Sequence, residues 1–341
     1  MSDFSDDWLA LRAPADSRAR ADAIVSRLQI DPTSGIDVLD LGCGTGANLR
    51  HLAPLLAAAG AREQRWTCVD RDSELLDKLS ARTAEWATGN GLDLIGEAHE
   101  FAVATDALAG STLGLPTATR GASVGIPNFA GNGTRWRCRV RPLQLDLASA
   151  LDQIPMPAGG LVTASALLDL VSGQWLDALL QRCHNAQCQL LFTLTYDGRC
   201  ELSPSLADDA SMLDLVNRHQ RTDKGFGPAL GPDAAAHAEA RCHTLRYQSL
   251  CVTSDWQVGP DEPALQRALI DGWHWAALEQ GRHRQDRDGG DRQRGEERLP
   301  DRINQWHAGR IRLIDERKSW LRVGHRDLIA TFHRRGILPP S

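Results

Sequence analysis

Three alternating glycines with a carboxylate just ahead of them form the densest chemical pattern in this chain. The run is Val38–Leu39–Asp40–Leu41–Gly42–Cys43–Gly44–Thr45–Gly46–Ala47–Asn48. Glycines so spaced let the backbone take left-handed angles and bring a ligand against main-chain amides with no Cβ in the way. Asp40 ends the apolar run, where a hydroxyl or an ammonium can meet its carboxylate. Further carboxylates follow apolar runs at Asp70, Asp146 and Asp169. Metal chemistry is not expected. Cys183–His184 and Cys188 stand close, but no second chelating pair lies nearby. Cys43, Cys68, Cys183, Cys188 and Cys251 read as small buried hydrophobes.

These residues need elements to hold them. An apolar run at 36–41 enters the glycine turn, and Leu49, Leu52, Leu55 and Leu56 then carry a helical pattern over 46–59. Trp66–Asp70 reads as a second strand and 73–87 as a second helix, the spacing of a βαβ unit with a parallel sheet. A long connection follows, with strand-like pieces at Glu100–Ala104 and Thr134–Val140 and an unpatterned stretch at Gly110–Gly133. Strand three is expected at Val140–Asp146, strand four at Gly160–Ser165 and strand five at Cys188–Leu194, with a helix at 174–183 between the last two. Helices at 208–220 and Asp233–Ala240 precede a strand at Thr244–Thr253. Upstream, 5–29 reads as helical, interrupted at Pro14, with Asp16 available to start a second helix. Downstream, Pro263–Gln280 and 302–318 read as helices around a charged loop, Gly281–Asp301, and 320–332 as a closing hairpin or broken strand.

The glycine run closely resembles motif I of the class I S-adenosylmethionine (SAM)-dependent methyltransferases, and the likeness extends in order through residues 36–196. It implies an α/β fold: a Rossmann-like, mostly parallel seven-stranded sheet with helices on both faces, here with an insertion before strand three. It divides the chain into a helical cap at 1–35, a SAM-binding core at 36–260 with an insertion at about 89–140, and C-terminal helices with a closing strand at 261–341. It also implies the cofactor, S-adenosyl-L-methionine. Asp40 would orient the methionine ammonium, and Gly42, Cys43, Gly44, Gly46 and Asn48 would face the amino-acid and ribose portions. Asp70 would take the ribose hydroxyls, its two oxygens suiting two neighbouring donors. Arg71 would lie beside the adenine, which Asp146 and Leu147 would recognise, and Ser165 and Asp169 would stand near the methionine portion and the acceptor. A dinucleotide is the competing ligand for such a loop, but an acidic strand end would crowd a pyrophosphate, whereas a cationic sulfonium has no such conflict.

Methyl transfer is an in-line displacement served by alignment and water exclusion, with a base needed where the acceptor begins as a hydroxyl or ammonium. The chain lacks the Asn/Asp–Pro–Pro–aromatic tetrad and the Pro–Cys signature of DNA methylation, so a small-molecule acceptor methylated at O or N ranks first. An RNA or protein methyltransferase and a non-catalytic interaction protein of the same fold are the alternatives. Substrate contacts are expected from Tyr196 after strand five, from His219, Asp223 and Phe226 near a Gly-rich loop, and from Asp255 and Trp256. Arg12, Asp16 and Arg18 are candidates for a helix covering the cofactor. The 341 residues carry a net charge of -6, so no global attraction to nucleic acid is expected. No apolar stretch reaches the roughly 20 residues of a membrane span. A cytoplasmic protein is the default expectation.

Overall fold

Burial of one strand on both faces organises the molecule. In the computed structural model, which describes residues 5–97, 100–104, 136–287 and 298–332, β1 (Ile36–Leu41) buries Ile36, Val38, Leu39, Asp40 and Leu41. A strand covered on both sides belongs at the centre of a parallel sheet. It pairs in parallel with β2 (Glu63–Asp70) and β6 (Leu161–Ser165). Outside these lie β5 (Arg137–Gln144) on β2 and β7 (Gln189–Ser203) on β6, again parallel.

The flanks are antiparallel. β3 (Asp93–Glu97) and β4 (Glu100–Ala104) form a hairpin on β5, while β10 (Trp320–Thr331) pairs with β7, β8 (Gln248–Thr253) and β9 (Trp256–Val258). The order is β3-β4-β5-β2-β1-β6-β7-β10-β8, with β9 on β10. The expected parallel centre is present, but among the described residues the sheet has ten strands rather than seven.

Helices cover both faces. On one, α2 (Ala47–Ala58) and α3 (Ser73–Gly89) pack Leu49, Leu52, Leu56, Leu76 and Leu79 against Val38, Trp66 and Cys68. On the other, α4 (Gly173–Asn185) and α6 (Ala234–Thr244) cover Leu39, Leu41, Val162 and Phe192 with Leu176, Leu179, Leu180 and Ala238. Each fully buried leucine contributes about 1.5–3 kcal/mol. Because α2 follows β1 on one face and α4 follows β6 on the other, a crevice opens at the carboxyl ends of these two strands, where open α/β sheets hold ligands.

A third core lies beyond the sheet's end, where α5 (Asp209–Gln220), α7 (Pro263–Arg287) and α8 (Leu299–Asp315) pack on the extended ends of β7 and β10. The N-terminal α1 (Asp6–Ala19) joins this cluster through Ala15, Trp8 and Leu11. A short 3-10 helix, Asp22–Arg27, leads from it to β1. No helix among the described residues is long and apolar enough to cross a membrane.

Several expected boundaries are corrected. α1 runs through Pro14, with Asp16 inside it rather than starting a new helix. The two pieces expected at Thr134–Val140 and Val140–Asp146 are one strand ending at Gln144. Strand five continues to Ser203, so Tyr196 lies within it. The closing segment, expected as a hairpin or a broken strand, is a single strand with two register shifts. α7 extends seven residues into the expected charged loop. Residues 105–135, which contain the unpatterned Gly110–Gly133 stretch, and 288–297 of the charged loop lie outside the described residues.

Candidate active site

The glycine loop has the backbone its sequence demands. Gly42, Gly44 and Gly46 take φ of +65°, +52° and +82°, a region that side-chain-bearing residues rarely enter. Two bonds tie the loop to β2. Cys43 N–H donates to Val69 O at 3.0 Å, and Gly44 N–H donates to Asp70 Oδ2 at 2.8 Å. Asp70 Oδ1 accepts from Asp72 N–H at 3.1 Å. Each oxygen of Asp70 therefore holds one backbone donor and has acceptor capacity left for a hydroxyl. Asp72 caps α3 by accepting from Glu74 and Leu75 N–H, which fixes the turn behind Asp70.

Asp40 is placed differently from the sequence expectation. It is fully buried beneath the loop. Asn48, in the first turn of α2, donates from Nδ2 to Asp40 Oδ1 at 2.8 Å and to Thr163 Oγ1 at 3.2 Å. Its Oδ1 accepts from Arg20 Nη1 at 2.7 Å, and Arg20 Nη2 donates to Ser165 Oγ at 2.9 Å. Arg20 thus ties the first turn of α2 to the end of β6 across the crevice. Asp40 Oδ2 has no hydrogen-bond partner among the described residues, and burial pushes its carboxyl up to about 7, with the Asn48 bond and the Arg20 charge pulling the other way. Sequence reasoning missed Arg20. It follows α1 with no pattern around it, and only the folded chain brings it to the sheet edge.

α1 forms the roof. A Cβ built on Gly44 would come within 3.2 Å of Leu9 Cδ1, so the helix rests directly on the loop. Charged ends hold it there: Asp6 pairs with Arg82 at 2.8 Å, and Arg18 with Glu262 at 2.6 Å. Farther in, Arg12 bonds Asp16 at 2.8 Å and lies over the Trp256 ring, 5.7 Å from its centroid, while Trp256 Nε1 donates to Asp16 Oδ1. At the end of the arm, Ala21 N–H donates to Asp327 on β10 at 2.8 Å. Asp327 also accepts from Leu194 N–H and Ser254 Oγ, joining arm and sheet at one carboxylate.

The segment after β6 closes the crevice from the opposite side. Leu167 Cδ1 lies 3.5 Å from where a Gly42 Cβ would stand, and Asp169 follows in the 3-10 turn Leu168–Leu170. Asp169 is buried, its Oδ1 has no hydrogen-bond partner among the described residues, and burial lifts its carboxyl to about 6. Near it, Lys224 Nζ donates to Thr222 Oγ1 at 2.9 Å and sits 3.4 Å from His219 Nδ1. His219 Nε2 lies 2.9 Å from Glu279 Oε2, and burial together with Lys224 holds the imidazole below its ordinary pKa.

The other expected site residues are spread more widely. Asp146 is exposed and accepts from Ala148 N–H and Ser149 Oγ, capping its own turn just past β5; Leu147 beside it is buried, its carbonyl bonded by Trp175 Nε1. Arg71 is exposed at the end of β2, where its carbonyl accepts from Gln144. Tyr196 is buried in β7 with its hydroxyl on Asn217 Oδ1 at 2.8 Å. Asp223 caps the glycine turn that follows it, bonding Gly225 and Gly227 N–H, and Phe226 packs edge-on to Trp175 at 5.1 Å. Asp255 is taken up by Arg199 and Arg322 at 2.7 Å each.

No family model matches the chain, and no curated protein matches it. Among solved structures it is similar to a cyclopropane synthase from Mycobacterium tuberculosis, at 11% identity over 97% of this chain and 87% of that one, with a TM-score of 0.38. A cyclopropane-fatty-acyl-phospholipid synthase-like protein from Lactobacillus casei is similar at 14% identity over 96% and 94%, with a TM-score of 0.43. A phosphoethanolamine N-methyltransferase from Haemonchus contortus is similar at 12% identity over 97% of this chain, with a TM-score of 0.37. The chain spans 58% of that protein's length.

Proposed function

We propose that the chain is a SAM-dependent methyltransferase acting on a small-molecule acceptor at oxygen or nitrogen. The observation that carries this reading is Asp70. Its carboxylate stands at the carboxyl end of β2, bonded to Gly44 in a left-handed glycine loop at the switch point of the sheet. A carboxylate held there by backbone donors suits the vicinal hydroxyls of a ribose, and its charge suits a cationic ligand better than a pyrophosphate.

The residues present fit the cofactor. Gly42, Cys43, Gly44 and Gly46 would lie along its amino-acid tail, Asp70 would hold the ribose, and Arg71, Asp146 and Leu147 would border the adenine. Ser165 and Asp169 would face the reacting end. Asp40 supports this arrangement from beneath, through Asn48 and Arg20, rather than by direct contact. When bound, SAM supplies an electrophilic methyl group on a good leaving group. The chain's own part is to hold, to orient and to keep water out, and α1 is the roof that does the last. Tyr196, His219, Phe226 and Trp256 are the acceptor-side residues in this reading. Asp223 and Asp255 contribute by shaping the glycine turn and the β9–β10 edge.

Calorimetric titration with SAM, S-adenosylhomocysteine (SAH) and NAD tests the reading. The expected result is binding of SAM and SAH with no measurable NAD binding. NAD binding in their place overturns it.

A further inference from the structure

We propose that Asp169 is the proton acceptor for a nitrogen nucleophile, so that the substrate methylated here is an amine. The inference rests on the methyl-transfer reading above and narrows it. Asp169 is 7% exposed, and its Oδ1 has no hydrogen-bond partner among the described residues. Buried carboxyl oxygens are nearly always bonded; Asp40 Oδ2 is left over too, but Asp40 is wholly covered, whereas Asp169 keeps a little exposure through which a ligand can bring the donor.

Position supports the assignment. The turn bearing Asp169 is pressed on the glycine loop through Leu167 and Gly42. Its start is fixed by Ala166, a non-glycine residue at φ +53° whose N–H is held by Thr193 O at 2.9 Å. Unusual backbone of this kind persists where surrounding structure enforces it, and it gathers at working sites. Asp169 is thereby set at the edge of the cradle that would hold the methyl donor.

The groups facing Asp169 come from three elements. The charges of Arg12 on α1 and Lys224 in the loop after α5 act on it without a direct bond, and the backbone amides of Asp169 itself and of Tyr196 in β7 complete the set. Arg12 is already tied to Asp16, and Lys224 to Thr222, with His219 and Glu279 behind it. These groups lower the carboxyl less than burial raises it, which leaves a carboxylate that is ionised yet basic near neutrality. Burial disfavours a lone ammonium, and the Asp169 carboxylate offsets that cost by hydrogen-bonding the amine and then taking its proton. A hydroxyl acceptor would gain much less, because its proton is far more weakly acidic.

The step balances. An R–NH3+ acceptor passes one proton to the Asp169 carboxylate and becomes R–NH2. Its lone pair forms the C–N bond as the S–C bond breaks, with that bonding pair staying on sulfur. The products are R–NH2+–CH3 and the thioether, and the proton on Asp169 returns to solvent as they leave.

The test uses binding of two probes to the full chain. SAH lacks the methyl group, whereas sinefungin carries a protonated amine close to the position the methyl would occupy. Wild type is expected to prefer sinefungin over SAH by about tenfold or more, the scale of a hydrogen bond between charged groups. Asp169→Asn should bind SAH as wild type does and lose that preference. An Asp169→Asn protein that binds SAH and keeps the full preference overturns the proposal alone. Failure of wild type to bind SAH overturns the methyl-transfer reading and this inference with it. A series on wild type between pH 5 and 8 decides the matter even if the variant does not fold. The preference should fall below about pH 6 as Asp169 takes up a proton, and a preference constant across the series overturns the proposal.

Discussion

Leu9 on the first helix is packed onto Gly44 of the glycine loop, its Cδ1 3.2 Å from the place a side-chain carbon on Gly44 would take. The contact makes α1 both cover and obstacle. It shields the loop from water, and it also blocks the path along the loop until the helix lifts. The anchor at Asp6–Arg82 involves part-exposed side chains and is worth little alone, so the first turns of α1 can lift while the Asp16–Trp256 and Ala21–Asp327 bonds hold the rest of the arm.

Leu9→Ala is therefore expected to speed SAM association several-fold, because lid opening sets the rate at which such sites fill. Leu9 is only half-buried, so the accompanying loss of stability should be about 1–2 kcal/mol, below the range for a full core leucine. Stopped-flow binding reads the first effect and urea unfolding the second. An unchanged association rate would mean that the ligand reaches the loop by a path that does not pass Leu9.

Asp70→Ala should weaken SAM binding by about 1.5–3 kcal/mol, the scale of a lost hydrogen bond to a charged group. The variant also frees Gly44 N–H and Asp72 N–H, which the carboxylate now holds. Asp70→Asn separates the two effects. Its remaining carbonyl oxygen can keep one backbone donor while the charge is gone, so its affinity should lie between wild type and Asp70→Ala. Equal calorimetric affinities in all three proteins would remove the ribose contact from the site.

The central sheet and the glycine loop were legible because their signals are local: apolar runs of strand length, helical periodicity and glycines at fixed offsets. What escaped the sequence depends on distant neighbours. β3 alternates weakly and contains Gly96, and pairing with β4 is what makes it a strand. Gly324 reads as a turn inside the last strand. In the fold, a side chain there would run into Asp197 and Arg199 of β7, so glycine serves close strand approach at a register shift. Asp146 caps its own turn through Ala148 and Ser149, a contact that its position after β5 does not announce. Arg20 carries no motif, and its role appears only when β1 and β6 lie side by side.

The third core should depend on one ion pair. Arg310 of α8 is fully buried and pairs with both oxygens of Asp209 at the start of α5, while also donating to Pro204 O at 2.8 Å. Trp306 Nε1 shares the same carboxylate at 2.8 Å. Arg310→Met strands that carboxylate with too few donors and is expected to cost about 3–5 kcal/mol. Adding Asp209→Asn should recover part of the loss, since the coupled sites share one network. Urea unfolding of the single and double variants checks both statements, and strict additivity would contradict the network.

Stability should fall with rising pH because of Asp40. Its folded carboxyl lies at about 7 against an ordinary 3.8, since burial opposes the charge more than Asn48 and Arg20 favour it. Between those values the native state holds a proton that the unfolded chain has released. Stability therefore declines as pH rises from about 4, and the loss is complete above about 7. At 1.36 kcal/mol per unit the ceiling is about 4 kcal/mol, and relaxation of the network toward an ionised carboxylate brings the expected loss to about 1–3 kcal/mol. Other buried groups titrate in the same range. Asp169, raised to about 6, adds slope of the same sign, while His325, lowered to about 4 by burial, adds slope of the opposite sign below about 6.5. The difference between wild type and Asp40→Asn isolates the one contribution. The variant keeps a carbonyl to accept from Asn48 and has no charge to bury. Its unfolding free energy, measured against wild type at pH 5 and pH 8, should show a gap that shifts in the variant's favour at the higher pH. Parallel profiles would mean that Asp40 ionises as readily in the folded protein as in the unfolded chain, and that Arg20 already neutralises it in full.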